Sequence, residues 1–492
     1  MDLYSIGNST NSIQYLVDQY MALESRPRDE LIQQKNELSD KKSVFSELDS
    51  KLSALKTKLE YLNDIVLLPF QAKKASSSDA EKIGVRVANS ASKGNHTLTV
   101  QQLAKSDTRV SNQFSDSGTD FNSFTSDQTF TIEVAHPTDS DPSNRVAISI
   151  TVTADQLSGT NDEAIANIAQ AINDAMAEAV ANETITTEEV VHADVVNEQE
   201  GISRLVLKSE QTGYTYRMEF GASSLLDTLG VNNNALSSGT TGGYIYNVGT
   251  SITDSELSSI FELDGLTMYR DSNNVDDAYT GITFKLLDVF SQPVTVSVEP
   301  DIDAVKKDVE EFISKYNEVI DFLKENARMN PDTYEKGPLS QDSVYFGMIA
   351  ELRTMVSEPV DSVANSNYRL LYSIGIEADR DGKLSIKDTE KFNNALEANP
   401  SFVSDLFSTS DGVATKLVDY IDRFVKTGGT IDTSKKQIDN RIQSLQDRIE
   451  YMNEILDKKE KHYFDEFTKM QQTIYMLQNQ QMFFNTFTNF GG

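Results

Sequence analysis

The sequence predicts a multidomain α+β protein in which helices from both ends of the chain form a stem, a coiled coil or helical bundle, and two β-rich head domains are inserted between them. Three observations carry that prediction. Near the start, Phe45, Leu48, Leu52, Leu55, Leu59 and Leu62 recur at steps of three and four, which lines one stripe of a helix. Near the end, Ile438, Ile442, Leu445, Ile449, Met452 and Leu456 do the same. Between them lies a Gly/Ser/Thr-rich stretch in which apolar residues alternate at period two, the spacing of half-buried strands. Since the stripes lie at opposite ends of 492 residues, bringing them together folds the chain into a hairpin with a helical stem.

The first helical pattern covers residues 12–62, with Ile13, Leu16, Val17, Tyr20 and Leu23 preceding an expected break at Arg26-Pro27. Beyond it, Gln34 and Lys41 fill core slots beside Leu31 and Leu38, so this part of the stem is weakly apolar. Val85 and Val87, then Leu98 and Val100, read as two strands of one hairpin, followed by strands around Phe130, Ile132, Val134 and around Val146, Ile148, Ile150, Val152. An amphipathic helix over 162–181 carries Ile165, Ile168, Ile172 and Met176 on one face. Strands return at 190–196, 205–207 and 214–220, and this order describes a compact α+β insertion. Residues 237–243 read as a linker. Further strands are expected at 261–270, 282–287 and 294–298. A helix follows Pro300, with Val305, Val309, Phe312, Tyr316, Val319 and Leu323 on one face, and shorter helices follow near 344–356, 390–397, 402–407 and 413–426. Asn399-Pro400 is a helix start with Asn as cap. The last helix is expected to begin at Ser434, with Gln437 completing a capping box. Its heptad lapses at Lys459-Glu460 and resumes at Tyr463, Phe467, Met470, Ile474 and Leu477, an eleven-residue step of the kind that unwinds a supercoil.

These changes divide the chain into terminal legs (1–42 and 457–492, ordered only on assembly), a helical-bundle stem (43–74 and 300–456), a β-rich head domain (75–128 and 245–299) and an inserted α+β head domain (129–244). The length fits two to four domains.

Composition narrows the function classes. The 76 acidic against 44 basic residues leave a net charge of −32, which argues against a nucleic-acid or anionic-membrane partner. Cysteine is absent, which removes disulfides, thiolate metal sites and thiol nucleophiles. The N-terminus has neither the basic region nor the continuous apolar core of a cleaved signal peptide, and no apolar run approaches the length of a membrane span. The segment from Glu377 to Asp388, with Gly382, resembles a calcium loop. Glu377 is too long for the first ligand position and Asp388 too short for the last, so a hairpin turn with Gly382 at a positive φ, then a helix cap at Asp388, fits better. His96, His136, His192 and His462 are far apart in sequence and read as surface residues. No phosphate loop, nucleophile elbow or dinucleotide fingerprint occurs, so no catalytic, cofactor-binding or metal residues are assigned. Met482, Phe483, Phe484, Phe487 and Phe490 crowd the tail with apolar groups suited to an intermolecular contact.

Leu98-Thr99-Val100-Gln101-Gln102-Leu103; Phe261-Glu262-Leu263-Asp264-Gly265-Leu266 with Gly281-Ile282-Thr283-Phe284; Phe312-Ile313-Ser314-Lys315-Tyr316-Asn317; Gly337-Pro338-Leu339-Ser340-Gln341-Asp342-Ser343; and Ile374-Gly375-Ile376 with Asp381-Gly382-Lys383-Leu384 occur in this order along the chain. In combination they resemble the bacterial flagellar filament-capping family, the flagellar hook-associated protein 2 family. Ala171-Ile172-Asn173 with Leu205-Val206-Leu207 is similar to a module of flagellins and capping proteins. The start, Ser5-Ile6-Gly7-Asn8, departs from the Gly-rich opening usual in the family.

The resemblance implies a non-enzymatic cap that forms a small homo-oligomeric ring at the distal tip of an extracellular flagellum and promotes folding and insertion of flagellin. It implies export by the flagellar type III pathway without a cleaved signal. The partners it implies are flagellin, the hook-filament junction proteins and a cytoplasmic export chaperone at the C-terminal helix, with no cofactor. Within that reading, Leu16, Tyr20, Leu23, Phe467, Met470, Ile474, Leu477 and Phe484 are the expected oligomer and filament contacts. An adhesin whose acidic head binds a host glycan or protein, or a flagellin-like filament subunit, are the alternatives.

Overall fold

The computed structural model describes residues 10–329 and 336–489, with side chains described for 13–329 and 336–484. Ser5, Ile6, Gly7, Asn8 and Phe490 lie outside the described residues, as does the side chain of Phe487. The chain divides into two compact units, one made of Met1–Phe70 with Ile302–Gly492 and the other of Gln71–Asp301.

The first unit is helical. Helices Thr10–Glu24 and Arg26–Leu62 flank Ser25, whose own backbone is right-handed helical (φ −76°, ψ −18°). The expected break at Arg26-Pro27 is therefore a one-residue interruption, because Pro27 falls in a first turn, where its missing N–H needs no partner. The predicted stripe is buried throughout, from Phe45 through Leu48, Leu52, Leu55 and Leu59 to Leu62.

Its partners differ from those the paired heptads imply. Helices Ile302–Asn326 and Val413–Val425 pack on this stretch. Phe45 meets the Tyr345 ring edge-on at 5.3 Å, and Lys56 meets Asp422 at 2.7 Å. Lys58 bridges Asp308 at 2.6 Å and Glu311 at 2.8 Å; burial opposes its charge, but these two carboxylates outweigh it and raise its pKa. The stripe of Ile438, Ile442, Leu445, Ile449, Met452 and Leu456 runs instead along an earlier part of the N-terminal pair. Lys435 meets Asp49 at 2.9 Å, Lys42 meets Asp439 at 2.5 Å and Lys35 donates to Gln446 at 3.0 Å, so the helices are antiparallel. Leu31, Leu445 and Ile449 form a small core with Ile32, Leu38 and Met452 against them. A heptad sets the phase of a stripe around its helix and leaves its offset along a partner open. The weakly apolar stretch before Phe45 is thus covered, and packing does not change at the expected division between residues 42 and 43.

The long C-terminal helix runs from Thr430 to Asn489, 60 residues and about 90 Å at 1.5 Å per residue. It starts four residues before the predicted Ser434 cap: Gly428, at φ 77°, ends the preceding turn, and its N–H bonds the Asp432 carboxylate at 2.9 Å. The calcium-like segment is a hairpin of Ile376–Ala378 with Leu384–Ile386, turning at Gly382 with φ 87°. Asp388 then caps the next helix by accepting from the Lys391 N–H at 2.9 Å. Asn399 precedes the Pro400–Ser408 helix, but its side chain donates to the Tyr368 hydroxyl at 2.9 Å instead of capping.

The second unit holds two hydrophobic cores. In one, a five-stranded sheet ordered Lys73–Ser77, Phe290–Pro300, Gly94–Gln102, Ser259–Leu263, Leu266–Arg270 and a three-stranded sheet of Asn274–Tyr279, Ile282–Leu286 and Ile83–Val87 enclose Leu98, Val100, Phe261, Phe284 and Val296. The strands carrying Val85 and Leu98 lie in different sheets, so the expected local hairpin does not form; both find partners some 160 to 200 residues later in the chain. The run expected as one strand over 261–270 is a hairpin, with Asp264 at φ 51° and Gly265 at φ 83°. An Asp-Gly pair between alternating residues is the signal for such a turn.

The other core packs Ile165, Ile168, Ile172 and Met176 of the Asn161–Ala181 helix on Phe130, Ile132, Ile150, Leu205 and Leu207. It also takes Phe114 and Phe121. Strand Ser106–Val110 pairs with Ile202–Thr212, and Gly243–Tyr244 pairs with Ser106–Val110. The expected boundaries at 128/129 and in the 237–243 linker therefore fall inside this packing. Of the predicted strand 214–220 only Glu219–Phe220 is extended. The preceding turn is pinned by Asp271, which accepts the Thr215 N–H (3.0 Å) and hydroxyl (2.6 Å), and by Arg145, which donates to the carbonyls of Thr215 (2.7 Å) and Glu133 (3.0 Å).

His96 is not a surface residue. Its side chain is mostly buried, its Nδ1 lies 2.8 Å from Asp264 Oδ2, and its ring sits 4.3 Å from the Tyr279 ring. Asp264 also accepts the Thr97 N–H at 2.7 Å and the Tyr279 hydroxyl at 2.8 Å. His192 likewise has an acidic neighbour, Glu210, at 2.8 Å.

Two outcomes test this packing. Leu52→Ala should destabilise the helical unit by about 2–5 kcal/mol, as a fully buried leucine does, while half-buried Ile442→Ala costs less; denaturant melts followed by circular dichroism read both. Burial alone would raise the Asp264 pKa, but the bonds from His96, Thr97 and Tyr279 outweigh it and hold it below the usual carboxylate range. A depressed folded pKa stabilises fully above the unfolded value of about 3.9, and that contribution disappears as pH falls through the folded value. Asp264→Asn should therefore lower the melting temperature of the β unit at pH 7, with the gap to the parent protein closing in strong acid.

Candidate functional site

The paired terminal helices carry the residues expected to make oligomer and filament contacts. Helix Thr10–Glu24 packs along the long C-terminal helix through Ile13 and Val17, which are buried one turn apart. Tyr20 reaches across to Tyr463 and Phe467, with both ring centroids at 5.6 Å. Glu24 completes the contact by accepting from Lys459 at 2.6 Å and from the Tyr463 hydroxyl at 2.9 Å. The bond from Lys459, then that from Tyr463, lowers the Glu24 pKa, and the same bond raises that of Tyr463.

This contact explains the lapse in the C-terminal heptad. Lys459 stands at the core slot three residues after Leu456 and four before Tyr463, and Glu24 answers its charge from the facing helix. The helix passes through Lys459 and Glu460 without interruption. The signal for this pair was legible as a lone cation in an apolar stripe, but its partner, Glu24, lies more than 400 residues away.

The predicted contact residues fall into two groups. Tyr20 and Phe467 meet each other within the chain, Leu16 and Ile474 are half-buried, and Ile13, Val17 and Glu24 join this group although they were not singled out. Leu23, Met470, Leu477 and Phe484 are exposed, and so are Tyr475, Met476, Met482 and Phe483. Phe484 presents 70% of its surface. Such a density of large apolar side chains on one helical end marks an interaction surface.

Among the described residues no group of three or more histidines, aspartates or glutamates could hold a metal, and no helix is long and apolar enough to cross a membrane.

Comparison with known proteins places these helices in a family. The model of the flagellar hook-associated protein 2 N-terminus matches residues 9–107, and that of its C-terminus matches residues 257–479, together well over half of the chain. The stretch between the two matches is the one that builds the inserted core. The A-type flagellar hook-associated protein 2 of Pseudomonas aeruginosa is 26% identical over 413 residues, covering 82% of this chain and 80% of that protein. The B-type protein from the same species is 27% identical over 433 residues, covering 82% of each. The D1-D2-D3 domains of the flagellar cap protein FliD from Escherichia coli share the fold, with a TM-score of 0.63 and 23% identity over 80% of this chain and 99% of that one. The chain belongs to the flagellar hook-associated protein 2 family.

Proposed function

We infer that this protein caps a flagellar filament: copies form a small ring at the distal tip, outside the cell, and promote the folding and insertion of incoming flagellin. The observation that carries this reading is the exposed apolar end of the long C-terminal helix in a member of the hook-associated protein 2 family. Burying each large apolar side chain contributes about 1.5–3 kcal/mol, so a neighbour that covers several of them binds usefully without any covalent step. The protein acts without catalysis. Its mechanism is a reversible exchange of contacts in which the outer helix pair, with its Tyr20, Tyr463 and Phe467 cluster, opens and re-forms as each subunit is added.

The same apolar helix end needs cover before assembly, which a cytoplasmic export chaperone supplies. A chain with no cysteine suits unfolded export through the flagellar type III pathway. At the start of filament growth the ring rests on the hook-filament junction proteins. The β unit, with its two cores, serves as the plate that closes the tip. No observation favours the adhesive reading.

Removing residues 463–492 tests the assignment. The truncated chain should keep a cooperative thermal transition, because the buried stripe from Phe45 to Leu62 is untouched, and it should fail to support filaments, with flagellin monomers spilling into the medium. Filaments of ordinary length with the truncated protein would contradict it.

A further inference from the structure

The exposed end of the C-terminal helix is also where the accessible sulfur of the chain lies. Cysteine and tryptophan are both absent from the sequence, so methionine is the side chain that a mild peroxide attacks. Among the described residues the methionines divide sharply by access. Met176, Met218 and Met348 are enclosed in the cores, and four more are half-buried. Four are exposed: Met329 at 51%, Met470 at 44%, Met476 at 62% and Met482 at 63%. Three of these four stand on the apolar end of the Thr430–Asn489 helix.

Their spacing matters as much as their exposure. Met470, Met476 and Met482 follow one another at steps of six, and at 3.6 residues per turn each step rotates the position by about 240°. The three thioethers therefore lie on three different sides of the helix, within about 18 Å of its length. A neighbour that covers this end from any side meets at least one of them. A thioether suits such a contact, being apolar, polarizable and flexible enough to fill an irregular surface. We propose that Met470, Met476 and Met482 form an oxidation site that switches off docking by this helix end, with a peroxide as the oxidant. A sulfur lone pair bonds to one peroxide oxygen, the O–O bond breaks, and the remaining oxygen leaves as water or an alcohol. Sulfur is oxidised by two electrons and the peroxide is reduced by two. The sulfoxide carries a polar oxygen that must keep its hydrogen bonds to water, so the side chain no longer gains by burial. The fold is spared, because the methionines of the cores are out of reach of the oxidant.

This inference rests on the cap reading, and the test keeps the two apart. The full chain is treated with dilute hydrogen peroxide, the added oxygens are placed by peptide mass spectrometry, and binding to filament ends is compared with that of the untreated protein. Met329, Met470, Met476 and Met482 should oxidise before Met176, Met218 and Met348. Binding should fall about tenfold or more while circular dichroism stays unchanged. Methionine sulfoxide reductases A and B with a dithiol should restore it. Each variant is compared with its own untreated sample: Met470→Leu, Met476→Leu and Met482→Leu combined should lose nothing on treatment, whereas Met329→Leu should stay as sensitive as the parent. If the parent binds but keeps binding with all three methionines oxidised, if the reductases restore nothing, or if the triple leucine variant loses binding as the parent does, the oxidation site is wrong and the cap reading stands. If the triple variant does not bind at the outset, rescue of the parent by the reductases decides alone. If the untreated parent binds no filament end, the cap reading fails and takes the oxidation site with it.

Discussion

The antiparallel register between the N-terminal helices and the long C-terminal helix is the constraint on which the rest depends. It brings the two ends of the chain together, and it is why everything from Gln71 to Asp301 folds as an insertion. Two kinds of interaction set it, with different magnitudes. Each exposed ion pair, such as Lys42 with Asp439, contributes only about 0.2–1 kcal/mol. Each buried leucine, such as Leu31, contributes about 1.5–3 kcal/mol. The apolar contacts therefore supply the stability, while Lys435 with Asp49, Lys42 with Asp439 and Lys459 with Glu24 select one offset among those the stripes allow.

That offset makes the two ends of the helical unit different in kind. From Phe45 to Leu62 the N-terminal stripe is enclosed by several helices, and the unit behaves as a bundle. Further out it is a two-helix pair, held by the small core of Leu31, Leu445 and Ile449 and then by the cluster of Tyr20, Glu24, Lys459, Tyr463 and Phe467. Fewer buried contacts per residue mean a lower cost of local opening. Stability thus declines along the pair toward the exposed Met470, Leu477 and Phe484.

Much of the secondary structure was legible from periodicity. The helices, the buried faces of Phe45 to Leu62 and of Ile165 to Met176, and the turn at Gly382 all follow from local spacing and local backbone demands. What was not legible was pairing over long range. Val85 and Leu98 each look like half of a hairpin, yet their partners come from beyond residue 258, and no local signal distinguishes the two outcomes. Tyr214, Tyr216 and Met218 alternate as a strand would, but Arg145 and Asp271, distant in sequence, hold that stretch as a turn. His96 looked isolated because Asp264 lies 168 residues away. In the candidate site, the aromatic and aliphatic residues were visible as stripes, whereas Glu24 was hidden, since a glutamate on a helix is ordinarily a solvated charge.

The register itself can be measured directly by distances between paired spin labels, introduced as single cysteines into a chain that has none. Labels at Lys35 and Gln446, whose side chains touch, should give a short distance. Labels at Thr57 and Gln443 should be farther apart by about 25–30 Å, because roughly nineteen residues of helix at 1.5 Å each separate Thr57 from the residues that face Gln443. The reverse order, with 57 and 443 close and 35 and 446 far apart, would mean that the two heptad stripes face each other along their full length, and would contradict the offset on which the separation of bundle and outer helix pair depends.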